Sequence, residues 1–128
     1  MRGFCLKHRI LHLSPQIDII LEIAEDDLSR QRGLMFQTSL KAKHGMLFQF
    51  KSLDYWPIWM KNMNFPIDIM WLNQDKQVID WLDNAQPCPK DRVNCPIFKP
   101  KYPAMAVIEL QAGQRRRHHI HFKQTLKY

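Results

Sequence analysis

The sequence predicts a mostly β, α+β domain: a small barrel or strongly curled antiparallel sheet with one short helix after the first strand. Three observations lead there. Short apolar stretches of strand length recur along the 128 residues. A single segment carries both a helix cap and a helix stop. There is no repeated strand–helix alternation of the kind that builds a parallel sheet. Apolar residues make up 45% of the chain, which is enough to close one core at this length.

Each element has a local reason. In IDIILEIA, 17–24, Ile17, Ile19, Leu21 and Ile23 alternate with Asp18 and Glu22, as a half-buried strand requires. Asp26 or Asp27 then offers a carboxylate to the orphan amides of a short helix running to Arg32, and Gly33 suits its end. GMLFQF, 45–50, opens a second strand at a glycine. Pro57 and Pro66 interrupt the densest apolar stretch, 56–72, because each removes a backbone donor and disfavours helix before it. Two strands, about 58–62 and 66–72, are expected instead. Polar residues 73–76 make a turn into VIDWL, 78–82. A loop over 85–103 holds five of the eight prolines. MAVIEL, 105–110, is a further strand, closed by Gly113. In the tail, Ile120, Phe122, Leu126 and Tyr128 fall on one face of a terminal strand and His121, Lys123, Thr125 and Lys127 on the other.

The net charge of +7 is unevenly placed. Residues 1–16 hold Arg2, Lys7 and Arg9, and residues 115–128 hold Arg115, Arg116, Arg117, Lys123 and Lys127, with no acid in either stretch. The body between them is close to neutral, so the expected division is a basic segment, 1–16, and a single domain, 17–128. Basic ends attract phosphate without specificity, and nucleic acid is not the expected partner. No apolar run approaches the ~20 residues of a membrane-spanning helix, and the N-terminus lacks the apolar stretch of a secretory signal. The expectation is a soluble, cytoplasmic monomer with an unknown small-molecule or protein partner; an upstream start would allow an extracytoplasmic one. Of the three cysteines, Cys5 stands alone, whereas Cys88 and Cys95 flank a short loop and either pair in an oxidising compartment or stay reduced.

RQRGLM ending at Met35, GMLFQF (45–50), WMKN followed by FPIDI (59–62 and 65–69) and PAMAVIELQAG (103–113) stand in an order and spacing that resemble the bacterial and archaeal domain of unknown function 192. The blocks cover about 17–113, and the tail resembles that family's closing segment. The resemblance implies a small, mostly β domain without an established activity, often found behind a signal peptide or anchor. The family's Gly-Asp turn before its last strand is replaced here by Lys123-Gln124.

The chemical oddity is a polar set inside the apolar blocks: Arg32, Trp59, Lys61, Asn62, Asp68 and Glu109. Asp68 shares a strand face with Met70 and Leu72, and Glu109 with Met105 and Val107. Carboxylates on apolar faces need partners, which Arg32, Lys61 and Asn62 could supply. Two readings follow: a satisfied structural network, or a polar cluster lining a pocket walled by Trp59 and Phe48. The pocket belongs to a non-enzymatic binding or accessory module. A small enzyme using Lys61 and Asp68 as an acid–base pair is the alternative, although no nucleophile elbow or phosphate-cradling glycine loop accompanies it. A third reading, a soft-metal or nucleic-acid binder, rests on Met35, Met46, Met60, Met63, Met70 and Met105 with His44, or on the basic end. His118, His119 and His121 read as a solvated edge. No cofactor and no metal is expected.

Overall fold

The computed structural model describes residues 7–128, so Arg2 and Cys5 lie outside the described residues. Eight strands and two short helices follow in the order β1 (His8–Ser14), β2 (Ile17–Ala24), α1 (Asp27–Arg32), β3 (His44–Asp54), β4 (Ile58–Trp59), β5 (Ile67–Leu72), β6 (Val78–Ala85), β7 (Ile97–Phe98), β8 (Ala104–Gln111) and α2 (Gln114–Arg117). Six strands form one sheet in the order β1-β2-β3-β8-β5-β6, and β4 pairs with β7 in a small separate ladder.

The fold is therefore mostly β and α+β as expected, with three corrections. The sheet is open rather than a closed barrel. It is mixed rather than antiparallel, because β2 and β3 run parallel, the chain crossing over through α1 between them. The helix follows the second strand, not the first, since His8–Ser14 inside the basic N-terminal segment forms β1 and pairs with β2. That strand is hard to read from sequence because it lies at the sheet edge and, of its seven residues, only Leu11 is buried.

Asp26 is the residue that caps α1. Its carboxylate accepts the Ser29 amide at 2.7 Å while the Ser29 hydroxyl faces the Asp26 amide, a reciprocal capping box. These bonds hold the Asp26 carboxyl below the usual carboxylate range. Arg30 ties α1 to β3: its guanidinium donates to the carbonyls of Glu25 and Gln49 at 2.6 and 2.8 Å and to Asp27 at 2.7 Å.

The sheet is covered on both sides, which explains why all six residues of β5 are buried. One core joins Leu11, Ile19, Leu21, Leu47, Met70, Leu72, Ile108 and Leu110 with Ile120 and Leu126 of the tail. The other joins Met46, Phe48, Ile67, Ile69, Trp71 and Val107 with Leu34, Met60 and Met63 from the loops. Segment 58–62 is a strand only at its first two residues, because the chain turns over Met60–Met63 with Asn62 at φ 61°. The tail is not a strand either. Single bridges tie Lys127 to His12 and Thr125 to Gln77, and positive φ at His119 and Lys123 bends the backbone ahead of them. Its apolar pattern still served: Ile120 and Leu126 are buried, whereas Phe122 is 43% exposed.

Candidate functional site

The six polar candidates separate into three places. The antiparallel register pairs Asp68 with Leu110 and Ile69 with Glu109. Directly paired residues project to the same side of a sheet, so Asp68 lies on the face of the core containing Leu110 and Glu109 on the face of the core containing Ile69. The two acids occupy opposite faces.

Asp68 is wholly buried and fully engaged with backbone. On β6 the register slips between Leu82 and Ala85, and Asn84 adopts φ 53°, so the bulge leaves an amide without a ladder partner. Asp68 accepts that Asn84 amide at 2.9 Å and, through its other oxygen, the Arg115 amide of α2 at 2.9 Å. Next to it, Asp83 takes a bidentate pair from Arg115 at 2.6 and 2.7 Å. The same guanidinium donates to the Ile120 carbonyl at 2.7 Å and lies 4.4 Å from the Trp81 ring centre. Arg115 holds the Asp83 carboxyl well below the ordinary value, mainly through that hydrogen bond. This constellation fixes the bulge, α2 and the start of the tail, and Arg115 of the basic C-terminal stretch is thereby committed to structure.

Lys61 and Asn62 sit in a second place, a groove beside the cysteine loop lined also by Phe36, Lys90 and Arg92. Cys88 and Cys95 are joined by a disulfide there. Lys61 and Asp68 make no ion pair, and Asp68 takes its hydrogen bonds from backbone instead. The Lys61 ammonium instead lies 5.1 Å from the Trp59 ring centre.

The remaining three, Arg32, Trp59 and Glu109, meet at a cleft of about 160 Å³ between the end of α1, β3, β4 and β8. Phe48, one of the two walls expected from sequence, lines it, together with Leu34, Met35, Ile58 and Met63. Gly33 is required here: its φ is 48°, and a Cβ would stand 3.1 Å from the Phe48 ring. Gly45, paired with Leu110 on the neighbouring strand, lets β3 and β8 close, since a Cβ there would come within 2.6 Å of the Glu109 carbonyl.

Glu109 lies at the base of this cleft, 4% exposed. Its carboxyl is desolvated among apolar walls, and the exposed Arg32 also lines the cleft. Burial alone pushes its pKa from 4.5 up to about 8, so at neutral pH the group is mostly a neutral acid, able to donate as well as accept. Trp59 is 43% exposed at the rim, continuous with an apolar spot formed by Pro57, Ile58 and Ile97. Sequence reasoning missed Ile58 and Pro57 as lining residues, because nothing local shows that β4 lies over the sheet.

The methionines do not gather into one thioether set. Met46, Met60 and Met63 belong to one core and Met70 to the other. No group of three or more His, Cys, Asp or Glu side chains with metal-binding geometry occurs among the described residues. His118 ends α2 and bonds the Gln114 amide oxygen at 2.9 Å, and burial lowers its pKa. No helix among the described residues is long and apolar enough to cross a membrane.

Two solved structures share this architecture. A Sinorhizobium meliloti 1021 protein described as a "putative transcription regulator" is 26% identical, with a TM-score of 0.86 over 98% of this chain and 97% of its own. A protein of unknown function from Novosphingobium aromaticivorans DSM 12444 is 24% identical, with a TM-score of 0.79 over 96% of this chain and 85% of its own, a likeness of fold. No curated protein matches the chain significantly. The family model DUF192, described as "Uncharacterized ACR", matches residues 11–128, and the chain belongs to that family.

Proposed function

We propose that this domain is a non-enzymatic ligand-binding module whose site is the cleft above Glu109. One observation carries the reading: a carboxyl that is 4% exposed opens onto a cleft with apolar walls and an arginine at its mouth. Placing a carboxyl among apolar walls costs free energy that a leucine would not, and because no side-chain oxygen among the described residues is sealed without a partner, the Glu109 carboxyl reaches the cleft, where water or a ligand completes its hydrogen bonds. A ligand that does so explains the arrangement. Binding is favoured over catalysis because the second acid expected from sequence lies on the other face of the sheet, sealed by backbone amides. Glu109 has neither a base nor a nucleophile to work with in the cleft.

A screen of ring-sized fragments against the ¹⁵N-labelled full chain tests this. The reading expects binders to perturb Arg32, Phe48, the Trp59 indole and Glu109 together, and to lose affinity in Glu109→Leu. Binders that cluster at another surface, or that ignore the substitution, would overturn it.

The disulfide bears on the compartment. Disulfides persist in oxidising surroundings, so the Cys88–Cys95 bond favours an extracytoplasmic location over the cytoplasmic expectation.

A further inference from the structure

Lys61 and Asn62, two of the polar residues singled out by sequence, line a groove that shares no residue with the cleft above Glu109. We propose that this groove is a second, independent binding site for a phosphate monoester on a ring-sized body. Lys61, Lys90 and Arg92 meet the phosphate, and Phe36 carries the ring.

Three segments build the groove. The Phe36 amide donates to the Asn62 carbonyl at 2.9 Å, the Asn64 side-chain amide to the Gln37 carbonyl at 2.8 Å, and the Cys88 amide to the Met60 carbonyl at 3.0 Å. These bonds pin the 36–37 segment and the cysteine loop to the turn over Met60–Met63. Within the cysteine loop the Arg92 amide donates to the Pro89 carbonyl at 3.0 Å, closing a β-turn that carries Lys90. The Cys88–Cys95 disulfide closes the same loop at a sequence separation of 7. A loop so constrained has little freedom left to lose when its two cations engage a ligand.

Charge selects the ligand. Lys61, Lys90 and Arg92 line the groove, and no Asp or Glu among the described residues lines it with them. Asp91 belongs to the same turn but not to the groove wall. The ion pairs among the described residues join Lys7 to Glu25, His12 to Asp18, Arg30 to Asp27, and Arg115 and Arg116 to Asp83, so none of the three cations is neutralised in that way. The Lys61 ammonium is steadied 5.1 Å from the Trp59 ring centre. Three cations gathered without an acid suit an anion of more than one charge. A phosphate monoester carries about −1.5 to −2 at neutral pH and presents three strong acceptor oxygens. A carboxylate brings one charge and two oxygens.

The aromatic wall selects the body. Phe36 is 70% exposed, yet its backbone sits at φ 65°, a conformation rare for a bulky side chain. Asn62, whose carbonyl holds the Phe36 amide, is left-handed too, at φ 61°. Strained residues of this kind persist where their surroundings fix them, and they gather at ligand clamps. Here the strain sets an aromatic face on the groove wall instead of in the core, where a ring can rest on it. The groove holds about 410 Å³, within the roughly 300–1,000 Å³ of small-molecule sites.

The test titrates phenyl phosphate, inorganic phosphate, phenyl sulfate and a short single-stranded DNA into the ¹⁵N-labelled full chain with its disulfide intact, and into Arg92→Gln, Lys90→Gln and Phe36→Ala. All three positions are exposed, so the variants are expected to fold. Phenyl phosphate should shift the amides of Phe36, Lys61, Asn62 and Arg92 together and leave that of Glu109 unmoved. Removing either cation should weaken its binding about fivefold, the upper range for an exposed ion pair. Phe36→Ala should bring phenyl phosphate down to the affinity of inorganic phosphate and leave inorganic phosphate unchanged. Phenyl sulfate binding as tightly as phenyl phosphate would overturn the phosphate assignment. Shifts confined to residues 115–128, or affinities that ignore Arg92→Gln and Lys90→Gln, would overturn the site. DNA moving the groove amides where phenyl phosphate does not would make the groove a strand-binding surface and overturn the proposal as well. None of these outcomes bears on the cleft, whose fragments report at Phe48 and Glu109.

Discussion

Replacing Glu109 by glutamine keeps its shape and removes its titration, which isolates the energetic consequence of burying an acid among apolar walls. In the folded protein the group titrates near 8, against an ordinary value of 4.5. Because the folded pKa is the higher one, the native state binds more protons than the unfolded chain between these values. Stability is then fully present below about pH 4.5 and declines as pH rises through about 8. The slope in that window is about 1.4 kcal/mol per pH unit. By pH 7 the loss amounts to about 3 kcal/mol, a large share of the ~5–15 kcal/mol that holds a domain of this size together. Denaturation by urea, with the disulfide intact, at pH 5, 6, 7 and 8 measures this for both proteins. The advantage of Glu109→Gln over the unmodified chain should grow by about 2–3 kcal/mol between pH 5 and pH 7. His118, pushed down by burial, and Asp83, pulled down by Arg115, act alike in both proteins and cancel. Parallel curves would refute the reasoning. They would mean that Glu109 is ionised when folded, and the case for the cleft would go with them.

Asp68 should behave in the opposite way. Asp68→Asn turns one acceptor oxygen into an NH₂ facing a backbone amide, so a loss of about 2–4 kcal/mol is expected in denaturation, with fragment binding at the cleft unchanged in the folded fraction. A variant of normal stability would show that the bulge does not need the carboxylate. Trp59→Ala should cost under ~1 kcal/mol, since the ring is 43% exposed, yet abolish binding of aromatic fragments. A large drop in melting temperature with binding retained would reverse that assignment. Cys88→Ser opens a loop with a sequence separation of 7, and chain entropy places the loss at about 2–3 kcal/mol. The check is a pair of melting curves with and without reductant, which should differ for the unmodified protein and coincide for the variant.

The resemblance expected from four sequence blocks is confirmed by a family match over 11–128, and several elements were readable residue by residue. IDIILEIA forms a strand over the whole of 17–24, and Asp26 caps the helix ending at Arg32. The apolar runs around Met70 and Ile108 are strands. These succeed because their causes are local: a period of two, a side-chain cap, a proline that bars helix. The first strand and the tail were less legible. In the former one residue of seven is buried, and in the latter the apolar spacing suggests a strand that positive φ angles break.

Which residues share a site is a different kind of information. Alternation along β5 says that Asp68 points away from Ile67 and Ile69, and along β8 that Glu109 points away from Ile108 and Leu110. Neither statement relates one strand's faces to the other's. Only the pairing of Asp68 with Leu110 and of Ile69 with Glu109 does so, and it sends the two acids to opposite cores. That register joins residues about forty positions apart, on strands that are neighbours only because β8 inserts between β3 and β5. Sequence by itself determined the strands over Ile17–Ala24, Ile67–Leu72 and Ala104–Gln111, the cap and the presence of two acids in apolar surroundings. Tertiary structure alone decided that Asp68 is sealed by backbone amides while Glu109 opens onto a cleft, because hydrogen-bonded strand pairing, not local periodicity, sets which side of a sheet each face becomes.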